Sequence, residues 1–458
     1  MAEYKHGAYG NVNISVDSAA NTSQNAIVYF GTAPVHTVVD GAKNVNKPIL
    51  LNDMSDAMKY LGYSDDWASY TLCEAMHRHL EDKKIGPLIM VNVLDPATHK
   101  EETGGTVSKT PANGKILIPS AESIILDSLA VGTKTKGTDY TVSYSQIKKT
   151  ITIAETSAGS LGTSALSITY DIIDPSAVDA ADVIGETDGK GGNTGLYVIN
   201  AVNQFTGFIP SFIAAPGFSS LKNVHDKMYE ISKKINGHWD AYMFVDLPLI
   251  NGSVSLDIDT IAAYKESHGY NRENETVYFP MALGTDGRKY HLSVLAASNF
   301  QELLADPDLS GVPYRSASNT PCEIIQNLYL GEDVTDRTYD DTMINEYLNK
   351  NGIASAAWVS GRWAIWGAIS ADYVQEDNEN YVNCSETNRM MLYYISNDFQ
   401  NRRGVDVDRT MTPNDVKGIV SQEQARLDAL VNTGALTFGK VYMDGSMQAR
   451  SDLMKGDL

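Results

Sequence analysis

Cysteine is scarce in this sequence, and basic residues are outnumbered by acidic ones. Cys73, Cys322 and Cys384 lie far apart without a CxxC pair, which argues against a disulfide framework and a zinc site. Lysine and arginine number 36 against 57 aspartates and glutamates, a formal net charge of −21. Nucleic-acid binding depends on cationic contacts with phosphate, so this charge disfavours a nucleic-acid partner, and it equally disfavours direct binding to anionic membranes.

Long apolar runs are also absent. No stretch of about 18 apolar residues predicts a transmembrane helix. The N-terminus, MAEYKHGAYGNVNISVDSAANTSQN, lacks the apolar core of a signal peptide. We therefore expect a protein that is made in a cytoplasm, with its three cysteines reduced and partly buried.

Recognisable catalytic and metal-binding motifs are missing too. His77 and His79 are two residues apart on a predicted helix, so they point to different faces, unlike the i, i+4 pair of a zinc helix. There is no GxSxG motif, and a triad of Asp246, His291 and one of many serines exists only on paper. We predict that the protein is not an enzyme and has no catalytic residues, no cofactor and no metal site.

The pattern of apolar runs predicts a multidomain α/β protein. A length of 458 residues suggests about three domains. Strands at 212–215, 241–246 and 276–280 alternate with helices at 221–235, 256–267 and 290–304, which indicates parallel βαβ units. The predicted division is an N-terminal arm at 1–25, an αβ unit at 26–95, an inserted β-sandwich at 96–175, a central α/β domain at 176–345, a C-terminal domain at 346–445 and a tail at 446–458.

The predicted insert differs in composition from its surroundings. Threonine, serine, glycine and valine dominate it, and helical periodicity disappears. Short strands at 115–118, 124–126, 140–144, 150–153 and 166–170, separated by turn residues, are typical of an antiparallel sandwich. In the αβ unit before it, a helix is predicted over 65–83 between two buried strands.

The N-terminal arm contains one short strand pattern. Val12, Ile14 and Val16 alternate with Asn13 and Ser15. An isolated terminal strand has nothing local to pair with, so it is either a frayed tail or a donor strand that completes a sheet in another copy of the chain.

Tryptophan is concentrated in WVSGRWAIWGAISAD, residues 358–372. Trp358, Trp363 and Trp366 are three of the five tryptophans in the chain, which favours a core or an interface. A helix at 383–403 follows, and Thr412 with Pro413 and Asp415 predicts the start of a last long helix. TFGKVYM, residues 437–443, is then predicted to be a strand.

Several segments, taken in order, resemble contractile tail sheath proteins of bacteriophages and phage-tail-like particles. They are KHGAYGNVNISVD, AIVYFGTAP with PILLNDMSDAMKYLGY, the insert at 97–174, FIPSFIAAPGF with AYMFVDLP, WAIWGAISADY, NRMMLYYISNDFQNRR and GKVYMD. This resemblance spans nearly the whole chain. It implies a central α/β domain that is called subtilisin-like for its topology, with no implication of activity. It also implies an inserted β-sandwich and an α+β C-terminal domain with extended terminal arms.

The resemblance also implies a structural function. Such subunits stack as a six-fold helical sheath around an inner tail tube protein, next to baseplate and tail terminator proteins, and the sheath shortens to drive the tube through a cell envelope. The expected location is the virion, after assembly in the host bacterial cytoplasm. In this family the N-terminal arm and a strand near the C-terminus pair with the C-terminal domains of neighbouring subunits.

Carried over to this sequence, the resemblance places strand exchange at two segments and a tube-facing surface on the last helix. The exchange residues are Val12, Ile14 and Val16 with Phe438, Val441 and Tyr442. The tube-facing residues are Glu423, Arg426 and Asp428 on the helix at 414–432. Related sheaths often have further strands after this helix, whereas only 437–443 is clear here, so the C-terminal arm is short or the sequence is truncated.

Three alternatives remain open. The sheath of a headless bacteriocin or injection particle has the same sequence features as that of a phage. A hydrolase would use the α/β domain, and a monomeric surface adhesin would use the sandwich.

Overall fold

The computed structural model describes residues 25–332, 337–373, 375 and 382–443. The described strands, in chain order, are β1 Asn25–Gly31, β2 Pro48–Leu51, β3 Leu88–Asn92, β4 Gly105–Lys109, β5 Lys115–Pro119, β6 Ala130–Val131, β7 Tyr140–Ser145, β8 Thr150–Glu155, β9 Leu166–Tyr170, β10 Ile209–Ala214, β11 Tyr242–Asp246, β12 Ile250–Asn251, β13 Val254–Ser255, β14 Glu275–Tyr278, β15 Met281–Gly284, β16 Lys289–His291, β17 Ile325–Tyr329, β18 Ile353–Val359 and β19 Arg362–Trp366.

The described α-helices cover the intervals between these strands and the C-terminal part of the chain. They are α1 Met54–Tyr60, α2 Leu72–Met76, α3 Ala180–Ile184, α4 Ile199–Thr206, α5 Lys222–Ile231, α6 Ile261–His268, α7 Leu292–Ala305, α8 Asp341–Tyr347, α9 Glu386–Arg403 and α10 Pro413–Asn432.

One eight-stranded sheet organises the fold. Its order is β19-β18-β14-β11-β10-β1-β3-β2. Neighbours from β18 to β3 run parallel, and the edge strands β19 and β2 run antiparallel to theirs. β10, β11 and β14 consist wholly of buried residues, as expected of parallel strands that are covered on both faces. The prediction of a mixed α/β fold is confirmed at this level.

Aromatic side chains fill the centre of this sheet. The ring of Phe244 on β11 lies 6.3 Å from that of Phe212 on β10 and 5.9 Å from that of Phe300 on α7. Ten of the fourteen residues of α7 are buried, so this helix is a core element rather than an amphipathic cover.

The main core extends across three of the predicted domains. β1 from the predicted αβ unit pairs with β10 from the central domain, and β18 from the predicted C-terminal domain pairs with β14. Their buried residues form one hydrophobic cluster. The predicted boundaries at 95 and 345 therefore do not separate independent cores, because non-local parallel pairing joins these segments.

The insert has its own core. β4, β9 and β6 form one three-stranded sheet, and β5, β8 and β7 form another. Apolar residues between Ile116 and Ile168 pack into a second hydrophobic cluster. Four of the five predicted strands are present. Residues 124–126 form no strand, because Ile124 makes only an isolated bridge with Ile172 and a 3-10 helix starts at Leu126.

The tryptophan stretch forms the β18–β19 hairpin at one edge of the sheet. Trp358 pairs with Trp363 across the hairpin, and their rings meet edge to face at 5.9 Å. Trp363 is buried, whereas Trp358 is 48% exposed. The N–H of Cys322 donates to the carbonyl of Trp363 (2.9 Å), so a neighbouring loop covers the outer side of β19. The tryptophan stretch therefore contributes Trp363 to the core and Trp358 to the surface.

The helix predicted over 65–83 is shorter than expected. The backbone N–H of Thr71 donates to the Thr32 hydroxyl (3.0 Å), and that of Leu72 donates to the Thr32 carbonyl (3.0 Å). These bonds tie the chain to the end of β1, and α2 begins only at Leu72. His77–Asp82 continues it as a π-helix.

Candidate assembly interface

The predicted interface residues lie in two parts of the chain, and the structure describes one of them. Val12, Ile14 and Val16 are outside the described residues. The described chain begins at Asn25, which starts β1 in the interior of the sheet and is paired with Ile209. The Ser211 hydroxyl donates to the Asn25 side-chain carbonyl (2.5 Å). The arm therefore joins the body at the amino-terminal edge of the parallel strands.

A cleft opens at this point. It has a volume of about 350 Å³ and lies between the start of β1 and β10, the loop at 308–314, and helices α9 and α10. Tyr314 and Tyr394 line it together with the polar side chains of Asp398 and Arg426. The cleft thus lies between one end of the sheet and the C-terminal region, by which we mean residues 382–443.

Helix α9 fastens the C-terminal region to the sheet through buried polar groups. The Asn397 amide accepts a hydrogen bond from the backbone N–H of Asp240 (3.0 Å) and donates one to its carbonyl (2.8 Å). At the other end of α9, the buried Glu386 carboxylate accepts from the Ser316 hydroxyl (2.5 Å). Burial raises the pKa of Glu386 to about 7.

Helix α10 begins where the sequence predicts. The Thr412 hydroxyl accepts from the N–H of Asp415 (3.3 Å), and the Asp415 carboxylate accepts from the N–H of Thr412 (2.7 Å). This capping box, with Pro413 in the first turn, satisfies backbone donors that the helix start leaves free. Two hydrogen bonds from Thr412, one from its backbone N–H and one from its hydroxyl, lower the pKa of Asp415.

A chain of ion pairs holds α10 against α9. Arg402 binds Glu423 in a bidentate manner, with Nη1 to Oε1 at 2.8 Å and Nη2 to Oε2 at 2.7 Å. Arg403 Nε donates to the same Glu423 Oε1 at 2.8 Å. Burial opposes the ionisation of Glu423, but the hydrogen bonds from the two guanidinium groups outweigh it and lower its pKa.

The ion-pair chain continues on both sides of Glu423. Asp398 accepts from Arg402 Nε (2.7 Å) and lies 2.6 Å from Arg426 Nη2. On the other side, Asp406 bridges Arg403 (3.2 Å) and Arg409 (2.8 Å). Positive and negative groups alternate along this series of ion pairs. The series joins α9, α10 and the turn between them.

The three residues predicted to face the tube have different environments. Glu423 is only 5% exposed and is bound to α9, and Arg426 is paired with Asp398 within the subunit. Asp428 is exposed and accepts from the Gln424 side-chain N–H (2.8 Å). A role in tube contact stays a prediction for all three. Arg402 and Arg403 were missed, although Asp398 and Arg402 have the i, i+4 spacing of a helical ion pair.

The segment after α10, residues 437–443, is not a strand in the described structure. Its backbone bonds a side chain instead of another strand: the Val441 N–H donates to Gln424 Oε1 (2.8 Å), and the Gly439 carbonyl accepts from Gln424 Nε2 (3.0 Å). Phe438 is 77% exposed and Tyr442 is 70% exposed. The strand exchange predicted for Phe438, Val441 and Tyr442 is not tested by a single copy.

Exposed apolar side chains are concentrated in the C-terminal region. Eight of the eighteen large exposed hydrophobic residues in the described part of the chain lie between 382 and 443. They are Val382, Leu392, Phe399, Val405, Val407, Phe438, Tyr442 and Met443. Clustered exposed apolar residues often mark a binding surface for a partner, whereas single scattered ones do not.

The residues of the hydrolase alternative do not form a triad. The Ser293 hydroxyl donates to Asp246 Oδ2 (2.5 Å), and His291 Nδ1 is bonded to a different acid, Glu74 (2.6 Å). Burial opposes protonation of His291, but the carboxylates of Glu74 and Asp246 outweigh it and raise its pKa to about 9. His291 is thus paired with Glu74, and Ser293 with Asp246, so these three residue types are not arranged as a Ser-His-Asp triad here.

Among the described residues, no group of three or more His, Cys, Asp or Glu side chains is arranged to hold a metal ion. Within the same ranges, no helix combines the length and the apolar character needed to cross a bilayer.

Comparison with known proteins identifies sheath proteins as relatives in sequence and in fold. No family model matches the chain. A tail sheath protein of Burkholderia phage BcepMu is 27% identical over 254 residues, which cover 54% of this chain and 50% of that protein. The chain therefore matches about half the length of this curated relative.

Two solved structures share the fold over most of the chain. A sheath tail protein from Listeria innocua superposes with a TM-score of 0.51 at 15% identity, covering 90% of this chain and 86% of that one. The sheath of an extracellular contractile injection system, solved in its contracted state, gives a TM-score of 0.51 at 11% identity over 99% of this chain and 92% of the other. The predicted resemblance to contractile sheath proteins is confirmed.

Proposed function

We propose that the chain is a structural subunit of a contractile tail sheath, which polymerises helically around an inner tube and shortens to drive it through a cell envelope. One observation carries the proposal, namely the 27% identity over 254 residues to a phage tail sheath protein. The shared fold over nearly the whole chain agrees with it. The finer assignment of the sheet and its helices to a subtilisin-like topology belongs to the same proposal.

The charge distribution supports contact between identical copies through the C-terminal region. The whole chain has a formal net charge of −21, yet residues 382–443 contain seven basic and seven acidic residues. Acidic surfaces repel each other when copies of one chain pack together. A neutral region with exposed apolar side chains meets its copies without this electrostatic cost.

Strand exchange is the proposed link between subunits. Val12, Ile14 and Val16 would pair with the C-terminal region of a neighbour, beside Phe438, Val441 and Tyr442. The position of Asn25 supports this, because it lines the cleft beside α9 and α10 and so starts the arm next to the C-terminal region. Main-chain pairing would give the affinity, and the alternate side chains would set the register.

We further propose that the exposed face of α10 lies toward the inner tube. Asp428 is the member of the predicted set whose carboxylate is on the surface, and it is the best placed to contact the tube. Glu423 and Arg426 would act indirectly, by fixing α10 on α9. Other partners of the polymer would be baseplate and tail terminator proteins, in a virion or phage-like particle assembled in the bacterial cytoplasm.

The sheath of a headless injection particle is the nearest alternative, and the fold shared with an extracellular contractile injection system favours it as a second candidate. A hydrolase is disfavoured, because His291 is bound to Glu74 and not to Ser293. Labelling with a fluorophosphonate probe distinguishes a hydrolase from a sheath protein, since a sheath protein should stay unlabelled. A reactive serine would favour the hydrolase.

Electron microscopy of the purified chain tests the proposal. We expect hollow helical tubes or six-fold rings at raised concentration, with a yield that depends on salt. A variant lacking residues 1–20 should remain a folded monomer. Monomers under every condition would contradict the sheath function, and tubes formed by the shortened variant would contradict the donor role of Val12, Ile14 and Val16.

A further inference from the structure

The last described segment of the chain, residues 437–443, is fixed to α10 of its own subunit by a single side-chain amide. Gln424 donates from Nε2 to the Gly439 carbonyl (3.0 Å) and accepts at Oε1 from the Val441 N–H (2.8 Å). In an extended chain these two backbone groups lie on the same edge, on either side of Lys440. In a parallel β-sheet, one residue of a strand makes the same two bonds to its neighbour: its N–H donates to the carbonyl of residue i−1, and its carbonyl accepts from the N–H of residue i+1. The Gln424 amide makes these two bonds to the residues on either side of Lys440.

A second feature shows that the segment is closely docked. A Cβ atom on Gly439 would lie 2.9 Å from the Cβ of Leu427 on α10, closer than such atoms approach in proteins. Only glycine allows the backbone to come this near. Gln424 and Leu427 are three residues apart and so share one face of α10, which forms the docking site.

The orientation of the Gln424 amide is itself supported. Nε2 also donates to the Asp428 carboxylate (2.8 Å), one helical turn further along α10. This bond identifies which end of the amide is the donor, and it matches the two bonds to the segment. Phe438 and Tyr442 remain exposed, so the docked segment presents apolar side chains outward.

We propose that Gln424 takes the place of a residue from a neighbouring β-strand and holds the segment 437–443 on α10, so that its other edge is open to an extended strand from a second copy of the chain. Gln424 is thus a positioning residue for assembly, and Gly439 is the contact that makes the position possible. The second copy as the partner rests on the proposed sheath function, whereas the docking itself does not.

Hydrogen exchange and polymerisation of the full chain test the proposal together. The variants are Q424A and G439A, with Q400A as the control. Gln400 lies on α9, is partly exposed, and its side-chain amide bonds only the Ser396 hydroxyl in the described residues (3.2 Å). In the monomer, the Val441 amide should exchange about tenfold faster in Q424A and G439A. The concentration at which polymer forms should rise roughly fivefold in both variants, while their melting temperatures stay at the wild-type value. Q400A should match the wild type in both measurements.

The two readouts separate the possible failures. If Val441 exchanges at the wild-type rate in Q424A, the docking is wrong. If docking is lost but polymer forms at the same or a lower concentration, Gln424 does not position the segment for assembly. If the wild-type chain never polymerises, the proposed sheath function fails, while the exchange rates still decide whether Gln424 holds the segment.

Discussion

The body and the C-terminal region of this molecule are held together in different ways. The body consists of the eight-stranded sheet and the helices that cover it, and ten of the fourteen residues of its helix α7 are buried. Helix α10 has twenty residues, of which one is buried, and that residue is the acid Glu423. Apolar burial therefore stabilises the body, whereas ion pairs hold α10, the last helix of the C-terminal region, on α9.

The difference separates a rigid element from an adaptable one. Apolar burial resists changes of salt and pH, so the body is expected to keep its shape during assembly. A helix that is held by partly buried ion pairs responds more to ionic strength than an apolar core does, and it leaves the apolar side chains of the region available to partners. The predictions below change one side of this contrast at a time, starting with the largest expected effect.

Truncation of a central aromatic side chain should cost the most. Phe244→Ala removes a fully buried ring that contacts Phe212 and Phe300, and it should lower the free energy of unfolding by about 3–5 kcal/mol. Urea denaturation measures the change. Phe399→Ala on the exposed side of α9 is the matched control and should change stability by less than about 1 kcal/mol. Equal losses would mean that the C-terminal region has an apolar core of its own.

The stability of the body should fall at alkaline pH as His291 loses its proton. The pKa of His291 is raised from 6.5 to about 9, so its contribution is complete below pH 6.5 and is lost as the pH rises through 9. The loss should amount to about 3 kcal/mol, from 1.36 kcal/mol per unit of pKa. Urea denaturation at pH 6.5–10 should show this slope in the wild type and not in His291→Gln. A common slope would show that His291 is not held as a cation.

Loss of the central acid should loosen α10 without unfolding the body. Glu423→Gln removes the one carboxylate that Arg402 and Arg403 share across the two helices, and it should cost about 1–3 kcal/mol in the docking of α10. Trypsin cleavage after Arg409, between α9 and α10, reports this step. Salt near 1 M, where the Debye length is about 3 Å, should accelerate cleavage of the wild type in the same direction.

Asp428→Asn is the control for this prediction, because Asp428 lies on the same helix outside the ion-pair chain. It should leave the cleavage rate unchanged. Equal sensitivity of both variants, or a wild-type rate that is independent of salt, would contradict an electrostatic attachment of α10.

The cap of α10 should give the smallest effect. Thr412→Ala removes the acceptor for the Asp415 N–H and should cost about 1 kcal/mol of local stability. Hydrogen exchange of the first turn of α10 measures it. Thr433→Ala at the other end of the helix is the control and should leave the first turn unchanged. Faster exchange along the whole body would show that α10 is not an independent element.

Local signals were sufficient to predict some of these elements. Thr412, Pro413 and Asp415 are adjacent in sequence, and together they determine the start of α10. Apolar runs likewise predicted the central strands, because parallel strands are buried on both faces.

Non-local pairing explains what the sequence did not reveal. The shared core of the body depends on the pairing of β1 with β10, almost two hundred residues later, and no local pattern encodes it. The burial of Glu423 depends on where α9 places Arg402 and Arg403. The segment 437–443 has the composition of a strand, but its hydrogen-bond partner in the subunit is the side chain of Gln424. Predicting this pairing requires knowing how the segment 437–443 lies against α10.

Hydrogen exchange compared between monomer and polymer tests the central claim most directly. We predict that the C-terminal region, residues 382–443, gains protection on assembly, including the amides of Lys440 and Tyr442 on the open edge of the segment 437–443. The exchange rates of the body strands should stay the same as in the monomer. Protection gained on the body with none in 382–443 would contradict the assignment of the C-terminal region as the assembly interface.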